Sequence, residues 1–128
     1  MSLKLNMVGI IVNDIYKSAE FYRRLGVAIP ELGENQHNVT VKMDDFTFFI
    51  NTKQLNKRWD PARSDAEGGY RIILEFFLET KEAVDKKYQE MLDYGYQSHA
   101  EPYVTFFNMY FAMIIDPDNN TILLSSEI

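Results

Sequence analysis

The sequence predicts an α+β domain in which one strand–helix–strands unit is used twice, as two half-sheets around a shared cleft. Three observations carry this expectation. The apolar run Met7-Val8-Gly9-Ile10-Ile11-Val12 leads into a helical pattern that stops at Gly26. A second run, Arg71-Ile72-Ile73-Leu74-Glu75-Phe76-Phe77-Leu78, leads into another helical pattern that stops at Gly95. Each half then continues into short strands, and self-similarity of this kind within a small chain marks a repeated supersecondary unit.

The elements follow in order. Lys4 to Asn13 reads as a buried strand, with Val8, Ile10 and Val12 on one face and Met7, Gly9 and Ile11 on the other, both apolar or small. Asp14 is the expected N-cap of a helix whose apolar stripe is Ile15, Ala19, Phe21, Tyr22 and Leu25, and Gly26 suits its left-handed C-terminal position. Pro30 to Asn38 reads as loop. Val39 to Met43 and Phe46 to Thr52 form a hairpin turning at Asp44-Asp45. Residues 53–69 are expected to be a long irregular connection, basic at Lys53, Lys57, Arg58 and Arg63 around the single tryptophan, Trp59.

Tyr70 to Glu79 is the second central strand. Thr80 caps a helix with Glu82 in its first turn and Val84, Tyr88, Met91 and Leu92 on its buried face. Gln97 to Pro102 is a short strand or extended loop, and Phe106 to Ile115 a long aromatic-rich strand. Asp116-Pro117-Asp118-Asn119-Asn120 is a tight turn before the closing strand, Thr121 to Ser125. The modules thus run from about 4 to 52 and 70 to 126 within a single domain.

Composition removes several functions. A chain of 128 residues with 46% hydrophobic and 14% aromatic content has material for a core and for an apolar cleft as well. It has no cysteine, so disulfides, thiolate metal sites and thiol nucleophiles are all excluded. A net charge of −6 argues against nucleic acid, whose binding rests on clustered Lys and Arg, and mildly favours cationic partners. Without a signal peptide or a spanning apolar run, a soluble cytoplasmic protein is expected. Gly-rich phosphate loops, nucleophile elbows and HExxH motifs are missing.

Two motifs carry a family resemblance. Asn13-Asp14 followed by Ser18-Ala19-Glu20-Phe21-Tyr22-Arg23-Arg24-Leu25-Gly26 resembles the signature of the vicinal oxygen chelate superfamily, which includes glyoxalase I, extradiol dioxygenases and bleomycin-resistance proteins. The closing Asp116 to Leu124 is similar to the DPDGN turn and strand of that family. The resemblance spans nearly the whole chain. It implies paired βαβββ modules in a cleft-shaped mixed sheet, usually assembled as a homodimer.

Catalytic members of the family hold a divalent metal with His, Glu or Gln on strands facing the cleft. The corresponding positions here are Met7, Ile73 and Leu123, with the fourth near Phe48. None offers an oxygen or imidazole donor. Shifting the register by one residue brings Asn6 or Val8, and Ile122 or Leu124, to those places and restores no site. The resemblance therefore implies neither metal nor cofactor, and no catalytic residue is assigned.

The expected ligand-binding residues are Met7, Phe48, Trp59, Ile73, Glu75, Phe77, Phe107, Asn108 and Leu123. Glu75 and Phe77 share the face of Ile73 by strand alternation, so Glu75 reads as a counter-charge for a cationic ligand or as an acid paired with Arg71. Phe107-Asn108 stands where many family members have Trp-Gly in the cleft wall. Trp59 reads as a lid residue or as a simple loop anchor. The leading expectation is a protein that binds and sequesters a small apolar or aromatic molecule, a cationic one included. The alternatives are a glyoxalase- or dioxygenase-like enzyme with a displaced metal site, and a non-catalytic partner-binding domain.

Overall fold

The structure is a computed structural model that describes residues 5–65 and 72–128. Contacts divide the chain into two compact units, Met1–Glu67 and Gly68–Ile128, each with its own sheet.

In the first unit β1 (Met7–Val12) runs into α1 (Ile15–Leu25), and the hairpin β2 (Asn38–Met43) and β3 (Phe46–Thr52) follows. Asp14 Oδ1 accepts from the backbone N–H groups of Tyr16 and Lys17 at 3.0 and 3.2 Å, which starts the helix where the sequence places the cap. Gly26, at φ 123°, ends it while its N–H donates to the Tyr22 and Arg23 carbonyls. Ile15, Ala19, Phe21, Tyr22 and Leu25 are buried, as the helical stripe requires. The sheet order is β1-β3-β2, with β1 and β3 parallel and β2 and β3 antiparallel.

The loop read from Pro30 is observed up to His37, and two other expectations, the full βαβββ count that the resemblance implies and a loop over 53–59, are corrected. Between α1 and β2 the described chain forms no strand, so the unit is βαββ. The segment is held by α1 side chains instead: Arg23 donates to the Ile29 and Pro30 carbonyls at 3.2 and 3.0 Å, and the Tyr16 hydroxyl donates to Gly33 O at 2.6 Å. Carbonyls engaged this way do not pair with an edge strand, and Pro30 has no N–H to offer. The second correction concerns residues 53–59, which form α2 (Lys53–Trp59) where a loop was expected. Thr52 Oγ1 caps it by accepting from Leu55 N at 3.1 Å. Two turns are too short to display a helical period, and Thr52 also ends a strand, which hides its capping role.

The second unit has the full pattern: β4 (Ile73–Phe77), α3 (Lys81–Asp93), β5 (Gln97–Val104), β6 (Met109–Ile115) and β7 (Thr121–Glu127). Its order is β4-β7-β6-β5, parallel between β4 and β7 and antiparallel elsewhere. Tyr70 and Arg71, expected to open this strand, lie outside the described residues. Thr80 Oγ1 caps α3 by accepting from Ala83 N at 3.1 Å, and Gly95 (φ 101°) follows its end. The turn after β6 is closed by Asp116, whose Oδ1 accepts from the N–H groups of Asp118 and Asn120 at 2.9 and 2.8 Å.

Strand β5 continues past Pro102 to Val104. It is an edge strand with register irregularities, where a residue lacking an N–H is tolerated. Strand β6 begins at Met109, not Phe106. Thr105 N donates to Met109 O at 2.8 Å, Thr105 Oγ1 accepts from Met109 N, and Asn108 takes a left-handed φ of 62°, so residues 105–108 are the hairpin turn. Among the described residues no helix is long and apolar enough to cross a membrane.

Candidate functional site

Which face of each sheet is available follows from where the helices pack. In the second unit the Tyr88 hydroxyl lies 2.7 Å from Ser98 Oγ, and the Tyr110 hydroxyl donates to Asp85 Oδ1 at 2.6 Å. Ser98 and Tyr110 therefore face α3, together with Ile114, Ile122 and Leu74 in cross-strand register with Ser98. Buried Val84, Met91, Ile114 and Ile122 make this side the unit's core, at about 2 kcal/mol for each apolar side chain.

The residues between them point the other way, and they assemble in rows across the four strands. One row is Phe77, Ser125, Phe111 and Tyr103, the next Glu75, Leu123, Met113 and Ala100, the third Ile73, Thr121, Ile115 and Gln97. Ile73, Glu75, Phe77 and Leu123, expected at the site, thus share one face averted from α3. Leu123 lies at its centre with 4% exposure, whereas Ile73, Glu75 and Phe77 stand at the edge strand and are exposed.

The aromatic residues interlock. The Phe111 ring is 6.1 Å from Tyr103 and 5.7 Å from Phe107, both edge-to-face, and Phe107 meets Phe106 at 5.0 Å in the same manner. Through Phe111, the hairpin residue Phe107 joins the averted face. Phe106 is fully exposed at the tip. Asn108 is an exposed turn residue whose N–H donates to Thr105 O, and its left-handed backbone accounts for its identity.

The pairing of Glu75 with Arg71 falls outside the described residues. Within them, Ser125 Oγ donates to Glu75 Oε2 at 2.7 Å. Sequence reasoning missed this partner. Its signal lies in the parallel register, which sets Glu75 beside Leu123 and one row from Ser125.

In the first unit Phe48 is corrected. Its ring lies 5.5 Å from that of Tyr22 on α1, and it is buried among core residues, so it cannot line the opposite face. The residue averted from α1 is Phe49, in a row with Gly9 and Thr40. Met7 shares that face, beside Thr47 and Lys42, and is exposed. Trp59 ends α2 and is 63% exposed, so it is a helix residue and not part of an irregular loop.

A polar recess of about 390 Å³, lined in part by Asp14, Tyr16, Gln36, His37, Thr52 and Lys53, also lies in this unit. Its groups are engaged in structure: His37 Nδ1 is 2.9 Å from Thr52 Oγ1, and Lys53 pairs with Asp65 at 3.2 Å. The Thr52 oxygen also accepts from Leu55 N, so it serves both the α2 cap and His37.

At the positions that the resemblance assigns to metal ligands stand Met7 and, by observed register, Phe49 in place of the expected Phe48 in the first unit, and Ile73 and Leu123 in the second, none with a hard donor. Among the described residues no three His, Cys, Asp or Glu side chains gather closely enough to hold an ion.

Residues 4–124 match the model of the Glyoxalase/Bleomycin resistance protein/Dioxygenase superfamily. Solved structures with similar folds include a glyoxalase/bleomycin resistance protein/dioxygenase family enzyme from Burkholderia phytofirmans, 22% identical, TM-score 0.81, covering 96% of this chain and 98% of its own. A hypothetical protein from S. aureus is 22% identical with TM-score 0.80 over 98% and 94% of the two chains. A lactoylglutathione lyase from Agrobacterium tumefaciens is 18% identical with TM-score 0.73 over 98% and 95%. No curated protein matches the chain.

Proposed function

Because the chain belongs to the Glyoxalase/Bleomycin resistance protein/Dioxygenase superfamily while its metal positions carry apolar side chains, we propose that it binds and sequesters a small molecule with a planar apolar body. The proposed site is the face of the second sheet averted from α3. The observation that carries this reading is the aromatic group Tyr103, Phe111 and Phe107, interlocked at 5.7–6.1 Å beside Leu123 and Met113. Rings fixed by one another present a preformed stacking surface, so little ordering entropy is lost when a flat ligand lies on it. Apolar burial supplies the affinity and a few polar groups the orientation. Such a protein acts by occupancy, as antibiotic-sequestering members of the family do, and makes or breaks no bond.

Two measurements test this together. Chelator-stripped protein titrated with Ni, Co, Zn and Mn should retain no stoichiometric metal, and one tight ion per chain overturns the reading in favour of an enzyme. Calorimetric titration with naphthalene derivatives should show binding that weakens about tenfold or more in Phe111→Ala, the scale of losing a stacked ring. Equal binding by the variant removes the proposed face from consideration.

A further inference from the structure

We infer that the averted face of the second sheet reads positive charge: Glu75, held by Ser125 in the row between Phe77 and Phe111, is the counter-ion for an organic cation on an aromatic body. This rests on the binding function proposed above and narrows it to a ligand class.

Geometry and charge both lead there. Ser125 is wholly buried, stands in cross-strand register with Phe77 on one side and Phe111 on the other, and donates its hydroxyl to Glu75 Oε2 at 2.7 Å. The carboxylate is thereby held on the face that Phe77 and, across β7, Phe111 share. Among the described residues Ser125 is its one hydrogen-bond partner, and no Lys or Arg pairs with it.

Among the described residues, the charged side chains at in-register positions of this face are Glu75 and, beside Met109, Glu127; both are acids. The face of the first sheet averted from α1 carries Lys42 and no acid at its in-register positions, so the acidic character belongs to the second unit. An anionic ligand would be repelled, and a neutral one would strip water from Glu75 without replacing it. A cation satisfies the carboxylate beside Phe77, while the aromatic body that carries it extends across β7 toward Phe111. A positioned carboxylate with Phe77 on its own strand and Phe111 across β7 suits an alkylammonium group attached to an aromatic body.

The test uses the full chain and three probes with one naphthalene ring, bearing a trimethylammoniummethyl, a hydroxymethyl or a sulfonate group. In calorimetric titrations the wild type should bind the cation about tenfold tighter than the alcohol and the sulfonate least. Glu75→Gln keeps the shape and an acceptor for Ser125. It should lose about tenfold for the cation and stay within about twofold for the alcohol. Affinity for the cation should fall with added salt while that for the alcohol holds, a check that needs no variant.

Cation binding unchanged by Glu75→Gln, or no charge preference in the wild type, overturns the inference. In that case loss of all three probes in Phe111→Ala would leave the general binding function standing. Failure of every probe to bind wild type would overturn both.

Discussion

Gly9 lies under the ring of Phe49, its partner across β1 and β3, and a Cβ at this position would overlap the ring. The close approach leaves room for no side chain, so Gly9→Ala must push the ring aside or bend β1. We expect a loss of about 1–3 kcal/mol in urea unfolding, the usual cost of overpacking. Phe49→Leu in the same background should recover most of it, and a neutral Gly9→Ala would show that the ring is not held there. The glycine was legible in the sequence as a small residue in an apolar run. Its reason was not, because Phe49 lies forty residues away and reaches it only through the strand register.

At the scale of elements, the tie between β6 and α3 offers a test in pH. The Asp85 carboxylate accepts the Tyr110 hydroxyl proton at 2.6 Å, and Lys81 Nζ lies 5.0 Å from the center of the same ring. Hydrogen bonding to Asp85, followed by desolvation, pushes the Tyr110 phenol up to about 12 from 10.0. The folded value is the higher one. The stabilisation is therefore complete below the unfolded value of 10.0 and is lost as pH rises through about 12. In an absorbance titration of phenolate, one of the eight tyrosines should ionise late, and Asp85→Asn should bring it back toward the ordinary value. Superimposable titrations would rule out the hydrogen bond.

The element boundaries that sequence reasoning placed well are those set by local chemistry: Asp14 and Thr80 as caps, Gly26 and Gly95 as stops, and the Asp116 turn. Those it missed are set by residues whose composition points elsewhere. Phe106 and Phe107 have the composition of a strand, yet Thr105 and Asn108 close them into a turn. Thr52 reads as the end of a strand, yet its hydroxyl accepts from Leu55 N and starts α2.

For the whole molecule, the family resemblance carries the expectation of a homodimer. Exposed apolar side chains on edge strands agree with it: Met7 on β1, and Ile73 and Phe77 on β4. Sedimentation equilibrium should give twice the 15.0 kDa chain mass, and a monomer at micromolar concentration would end the expectation.

The repeat and the helix caps Asp14 and Thr80 were determined by the sequence itself, because each depends on residue chemistry or on neighbours within a few positions. The choice between Phe48 and Phe49 was decided only in the tertiary structure. The run Phe46-Thr47-Phe48-Phe49-Ile50 is apolar on both faces, so alternation could not say which ring meets α1. The same holds for Glu75: its place on the strand was legible, but its partner Ser125 comes from the far end of the chain, brought alongside by the parallel pairing of β4 with β7.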